Sequence, residues 1–97
     1  MSAVAMMLKA LANEARLSIL YRLHEGSLTW TQLIFQLRMN PKSLRDHLDF
    51  LRRSGLVKKR EPVGFELTEA GKAFVELSLK DLISTAKEAV EIAKMAT

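Results

Sequence analysis

The chain has no cysteine. Disulfides, thiolate metal sites and cysteine nucleophiles are excluded together, and the absence fits a reducing compartment. No stretch approaches the roughly 20 consecutive apolar residues that a membrane span needs. The apolar opening from Met1 to Leu8 carries no basic flank and runs straight into a helical pattern, so it is expected to belong to the fold rather than to a signal peptide. There are no internal repeats and no low-complexity tracts. Also missing are a glycine-rich phosphate loop, a cluster of metal-ligating side chains, and a nucleophile beside a base at a recognisable spacing, which leaves an enzyme without residues to work with. No cofactor and no metal are expected.

What is present suits one small globular domain. The 97 residues suffice for one core, and a core of that size gains from pairing with a second copy. The apolar share of 48% and the charged share of 27% are ordinary for a folded protein. The formal net charge of +4 is unevenly placed. Between residues 38 and 60 the bases Arg38, Lys42, Arg45, Arg52, Arg53, Lys58, Lys59 and Arg60 face only the acids Asp46 and Asp49, whereas from Glu69 onward acids slightly outnumber bases. A focused basic region attracts polyanions, although a solvated basic face reads the same way from charge alone.

The apolar periodicity predicts a first helix from Ser2 to about His24, with Leu8, Leu11, Ala15, Ile19 and Leu23 on one face, open to interruption at Asn13. Gly26 ends it, and His24 near that end suits the helix dipole. Ser27 to Thr29 can form a small edge strand. Thr29 caps a second helix, Trp30 to Arg38, with Leu33, Ile34 and Leu37 inward. After a turn at Met39-Asn40-Pro41, Asn40 caps a third helix beginning at Pro41. That helix runs to about Ser54, with Leu44, Leu48 and Leu51 as its buried stripe, Phe50 beside it, and Gly55 as terminator. Leu56 to Arg60 and Phe65 to Thr68 read as two strands joined by Glu61-Pro62-Val63-Gly64. Thr68 caps a long last helix from Glu69 to about Met95, in which Gly71 is a cost. Helix, small strand, helix, turn, helix, hairpin and long helix together give the winged helix-turn-helix plan: mainly α, with a small β-hairpin wing and a long C-terminal helix for dimerisation.

Three runs carry a family resemblance. Leu8-Lys9-Ala10-Leu11-Ala12-Asn13-Glu14-Ala15-Arg16-Leu17-Ser18-Ile19-Leu20 is similar to the opening of ArsR-type proteins. Leu44-Arg45-Asp46-His47-Leu48-Asp49-Phe50-Leu51-Arg52-Arg53-Ser54-Gly55-Leu56-Val57 is similar to their recognition helix and following strand. Phe65-Glu66-Leu67-Thr68-Glu69-Ala70-Gly71-Lys72 is similar to the exit from the wing in MarR- and PadR-like proteins. The sequence thus resembles the ArsR/MarR-like winged-helix transcription factors over roughly two thirds of its length, which implies a dimeric regulator that binds double-stranded DNA in the cytoplasm. It departs from the family in the acids Asp46 and Asp49 on the recognition helix, in a short wing, and in lacking the ligand sets of the metal sensors.

On this plan the helix over residues 41–54 enters the major groove by its N-terminal end and the hairpin over 58–65 lies near the backbone. Pro41, Lys42, Ser43, Arg45, Asp46 and His47 occupy the first two turns, off the leucine stripe. Arg45 is the first choice for a base edge, since a guanidinium grips guanine in two places, and Asp46 could accept from a cytosine amino group. Arg45 pairing with Asp49 across one turn is the bland alternative. Arg52, Arg53, Lys58 and Arg60 are assigned to phosphate. Alternation puts Lys58 and Arg60 on one face of the strand and leaves Lys59 pointing away. Thr31 and Gln32 start the second helix, where backbone N–H groups favour a phosphate. Trp30 is assigned to the core or an interface, and the methionines Met6, Met7, Met39 and Met95 to packing.

The last helix has a seam at Val75, Leu79, Leu82, Ala86, Ala89 and Ala93, widened by Ile83 and Val90, in the heptad spacing that pairs helices. It is expected to meet its own copy, with a DNA-binding part over residues 1–68 and a dimerisation helix over 69–97 forming one compact unit. Two other readings stay open at this point: a sequence-tolerant architectural chromatin protein, and a winged-helix module that binds protein.

Overall fold

Asn13 divides the N-terminal helical stretch in two. Its side-chain oxygen accepts the Arg16 N–H at 3.0 Å, the bond of an N-cap residue, so α1 (Ala3–Leu11) ends before α2 (Glu14–Glu25) begins. The computed structural model of the chain describes residues 2–96, and their side chains except those of Ala3, Leu11, Ser78, Leu79, Lys80, Leu82 and Ile83. Of the two possibilities left open at Asn13, the interrupted one holds, and Leu8 falls off the buried face on which it was expected. The break resets the helical phase, so Ala10 is fully buried while Leu8 is 60% exposed.

After Gly26 come β1 (Leu28–Thr29) and α3 (Trp30–Leu37). A capping box opens α3: the Thr29 hydroxyl accepts the Gln32 N–H at 3.1 Å, and Gln32 Oε1 accepts the Thr29 N–H at 2.9 Å. The turn to α4 (Pro41–Arg53) is made by Arg38, held left-handed at φ 50° and ψ 40°. The sequence gives no warning of this, because a left-handed residue is more often glycine or asparagine. Asn40 Oδ1 then accepts the Lys42 and Ser43 N–H groups at 2.8 and 3.3 Å, and Pro41 sits where its missing donor is not needed.

The C-terminus of α4 closes on Gly55, at φ 84°. Gly55 N–H donates to Arg52 O at 3.1 Å and Leu56 N–H to Leu51 O at 3.0 Å, the paired bonds of a Schellman ending. The strands β2 (Val57–Arg60) and β3 (Gly64–Leu67) form the wing hairpin. The sheet is antiparallel, in the order β1-β3-β2, with Leu28 opposite Phe65 and Lys59 opposite Phe65 on the other side.

α5 (Glu69–Met95) begins at the Thr68 cap, whose hydroxyl accepts the Gly71 N–H at 3.0 Å and donates to Gly55 O at 2.6 Å. The core draws on every helix and on both wing strands: Ala10, Ile19, Leu20, Leu23, Leu33, Leu44, Leu48, Leu51, Leu56, Val57, Leu67 and Val75. Each fully buried leucine contributes roughly 1.5–3 kcal/mol. Val75 is only 1% exposed, so this first position of the expected seam already lies in the chain's own core. Beyond it the helix leaves the body: Leu77, Val90, Ile92 and Met95 are exposed. Met95, at 81% exposed, is therefore not a packing residue within the chain. The radius of gyration of 15.3 Å exceeds the roughly 12.5 Å of a compact chain this long, as a protruding helix requires.

Candidate nucleic-acid interface

The face that α4 turns outward is polar and charged. Leu44, Leu48 and Leu51 are buried, whereas Pro41, Lys42, Ser43, Arg45, Asp46, Asp49, Arg52 and Arg53 are exposed. The amphipathic pattern read from the sequence sets this division. Packing of α4 on the body buries the leucine edge and leaves the opposite edge to solvent.

The exposed cations are only lightly engaged. The Arg45 guanidinium lies 6.0 Å from the centre of the half-buried Trp30 ring, at the outer reach of a cation–π contact. Asp49, the alternative partner considered for Arg45, instead sits 4.0 Å from Arg52, and its carbonyl accepts from Arg53 Nε at 3.4 Å. Exposed pairs of this kind contribute about 0–1 kcal/mol, so these side chains can exchange their partners for phosphate.

The hairpin sorts its three cations by strand alternation. Lys58 and Arg60 share a face with Glu66 and pair with it at 3.5 and 3.4 Å, and Arg60 also reaches the Ser27 hydroxyl at 3.4 Å. Lys59 lies on the opposite face, paired across the ladder with Phe65 and in step with the buried Val57. That face turns toward α4. A cleft of about 260 Å³ between hairpin and helix is lined by Trp30, Arg45, Leu48, Asp49, Arg52, Lys59 and Phe65. Lys59, expected to point away, therefore joins the α4 cations. The signal was present in the sequence: Val57 is the apolar, inward residue of the strand, and the residue two further on shares its side.

Two other expected site residues have side chains already engaged within the chain. Gln32 uses its side-chain oxygen in the capping box, which leaves only its amide N–H groups for a ligand. Thr31 beside it is exposed. His47 is half-buried, with Nδ1 at 3.5 Å from Arg16 Nη1. Burial first, and then the Arg16 charge, lower its pKa from the usual histidine value, while the nearby Asp46 opposes the shift. His24 reaches Glu76 Oε1 at 3.3 Å and so links α2 to α5, a partner that the sequence did not suggest. Among the described residues no group of three or more His, Asp or Glu could hold a metal ion, and no helix is long and apolar enough to cross a membrane.

A helix-turn-helix with leucines in and cations out, followed by a two-stranded wing that β1 extends to a three-stranded sheet, defines a winged-helix DNA-binding protein. Residues 13–59 match the family of bacterial regulatory proteins of the arsR type. Over 75 residues the chain is 40% identical to the transcriptional activator HlyU of Vibrio cholerae serotype O1, covering 73% of this chain and 69% of that protein. The structure of HlyU from Vibrio cholerae N16961 superposes with a TM-score of 0.71 at 36% identity, over 80% of this chain and 89% of that one. HlyU from Vibrio vulnificus CMCP6 gives a TM-score of 0.68 at 40% identity, over 81% and 85%. A MarR-family protein from Enterococcus faecalis V583, at 21% identity, shares the fold with a TM-score of 0.81 over 94% of this chain and 89% of that one. The chain belongs to the ArsR family and is a DNA-binding transcriptional regulator.

Proposed function

We propose that the chain acts as a homodimer on operator DNA, with α4 in the major groove and the hairpin over residues 58–65 beside the backbone. The observation that carries this reading is the outward edge of α4, where Lys42, Ser43, Arg45 and Arg52 are exposed above a buried leucine stripe. Arg45 reads a base edge. Lys42, Arg52, Arg53 and Lys59 hold phosphate, joined by Lys58 and Arg60 once DNA competes for them against Glu66. The protein works by binding and not by catalysis, in the cytoplasm.

Pairing runs through the free part of α5. Ala86, Ala89, Val90 and Ala93 are exposed in the single chain, and small residues let two helix backbones approach closely. Leu79, Leu82 and Ile83 complete the expected seam, but their side chains lie outside the described residues. The functional division accordingly falls within α5, after the Val75 turn. Twofold pairing sets two copies of α4 roughly 34 Å apart, one turn of DNA, and favours an inverted repeat.

The test is a labelled duplex selected from random sequences, titrated across a salt series. Affinity should fall steeply with salt and fall again in the Lys42→Ala/Arg45→Ala double variant. Preference for the selected site over random DNA by about 10³ or more marks a specific regulator. Equal binding to both would instead make it an architectural protein.

A further inference from the structure

Arg16, in the first turn of α2, is half-buried and held from two neighbouring helices. Its Nη2 donates to Lys9 O at 2.7 Å and its Nε to Ala10 O at 3.3 Å. These carbonyls end α1, where the helix dipole is negative. The same guanidinium lies 4.5 Å from the centre of the Phe50 ring, and Nη1 is 3.5 Å from His47 Nδ1. Phe50 and His47 stand one turn apart on α4, so Arg16 joins the end of α1 to the recognition helix on the side away from the exposed cations.

We propose that Arg16 is a positioning residue for DNA binding: it fixes how α4 sits on α1 and α2, and one of its two contacts with α4, the bond to His47, lasts only while His47 is neutral. This rests on α4 being the helix that contacts DNA. The guanidinium has only donors, so the bond to His47 requires Nδ1 to accept and the ring proton to be on Nε2. An imidazolium offers no acceptor and repels the guanidinium. The charged groups around the ring are Arg16 from α2, Lys9 from α1, whose ammonium is 5.9 Å from the Phe50 ring, and Asp46 on α4 itself. The Arg16 charge opposes protonation, and one exposed carboxylate, Asp46, favours it. Acidification therefore breaks the bond, leaves Arg16 only its Phe50 contact with α4 and loosens the helix that carries Lys42 and Arg45. Simple electrostatics predicts the reverse, since an added positive charge strengthens binding to DNA.

The experiment measures DNA affinity of the full-length wild type, His47→Gln, Arg16→Lys and Arg45→Ala at constant salt from about pH 7.5 to about pH 5.5. The Gln side chain keeps an acceptor but cannot titrate. Relative to His47→Gln, wild type should lose about fivefold in affinity over this range. Arg16→Lys keeps the charge but not the flat fork, so it should bind about fivefold more weakly at the upper pH and respond less to acid than wild type does. A wild type that tracks His47→Gln, or binds more tightly in acid, overturns the proposal even if Arg16→Lys fails to fold. Arg45→Ala separates the two claims. If it leaves affinity unchanged, the α4 reading fails and this proposal falls with it; if it weakens binding while the other profiles coincide, the positioning role alone is lost.

Discussion

The carbonyl oxygen of Leu56 occupies the space in which any side chain at position 71 would begin. A Cβ built on Gly71 overlaps that oxygen and comes within 3.3 Å of Leu67 Cδ2. The same oxygen accepts the Thr68 N–H at 3.1 Å, so the first turn of α5 is pressed onto the start of the wing. Helix propensity alone says that Gly71→Ala should stabilise the protein by about 1 kcal/mol. The close approach says otherwise, because overpacking typically costs about 1–3 kcal/mol. Destabilisation is the expected outcome, read from the denaturation midpoint in urea. A variant as stable as its parent would show that α5 does not dock this closely.

Gly71 also marks how much the sequence could tell. Element order, capping residues and the buried edge of α4 were legible because each rests on local spacing: Thr29, Asn40 and Thr68 stand at helix starts, and Leu44, Leu48 and Leu51 recur in phase. The site was legible to the same depth, since exposed positions on α4 follow from the buried ones. What was not legible depends on contacts between distant segments. Gly71 looked like a defect because Leu56 is invisible from within α5. His47 was placed with the outward residues of α4 because Arg16 lies 31 residues away. The faces of the hairpin were read as alternating, which is right, but the inward Val57, which marks the face toward α4, was passed over. The left-handed Arg38 left no mark at all.

The sorting of the hairpin cations gives a second prediction. Lys59 lines both clefts beside α4, whereas Lys58 lines one of them and, with Arg60, is tied to Glu66. Lys59→Ala should lower DNA affinity at moderate salt and reduce the slope of log affinity against log salt by about 1. Lys58→Ala should do less, because Arg60 then takes Glu66 to itself. Glu66→Gln should strengthen binding by freeing both cations. Equal effects of the two lysine variants would contradict this sorting of the strand.

Pairing through α5 predicts an oligomeric state that depends on a single exposed position. Each chain has a mass of 10.9 kDa, and sedimentation equilibrium should find twice that value at micromolar concentration. Ala89 is exposed in the single chain and lies in the expected seam. Ala89→Glu would set like charges against each other across the twofold axis, at a cost of several kcal/mol, on the order of 10²-fold or more in the dimer constant. The variant should sediment as a folded monomer and bind an inverted repeat far more weakly than a dimer does. An unpaired wild type overturns the pairing, and a dimer undisturbed by the glutamate points to another surface for assembly.

Acid should weaken the fold as well as the interface, and the sign follows from His47. In the folded protein its pKa lies below the usual value of 6.5, chiefly through burial and secondarily through Arg16, with Asp46 pulling the other way. In the window from 6.5 down to the folded value the unfolded chain binds more protons at this site than the native state does. Stability therefore rises with pH through that window. The contribution of His47 is fully present above 6.5 and is lost as the pH falls through the folded value. Carboxylates titrate lower, nearer pH 4, so the difference between wild type and His47→Gln isolates the histidine. Melting temperatures taken at half-unit steps should show the two proteins running parallel above neutrality and wild type falling away faster below about 6.5. If the two curves stay parallel throughout, His47 titrates as freely in the folded protein as in the unfolded chain, and its contact with Arg16 does not favour the neutral ring.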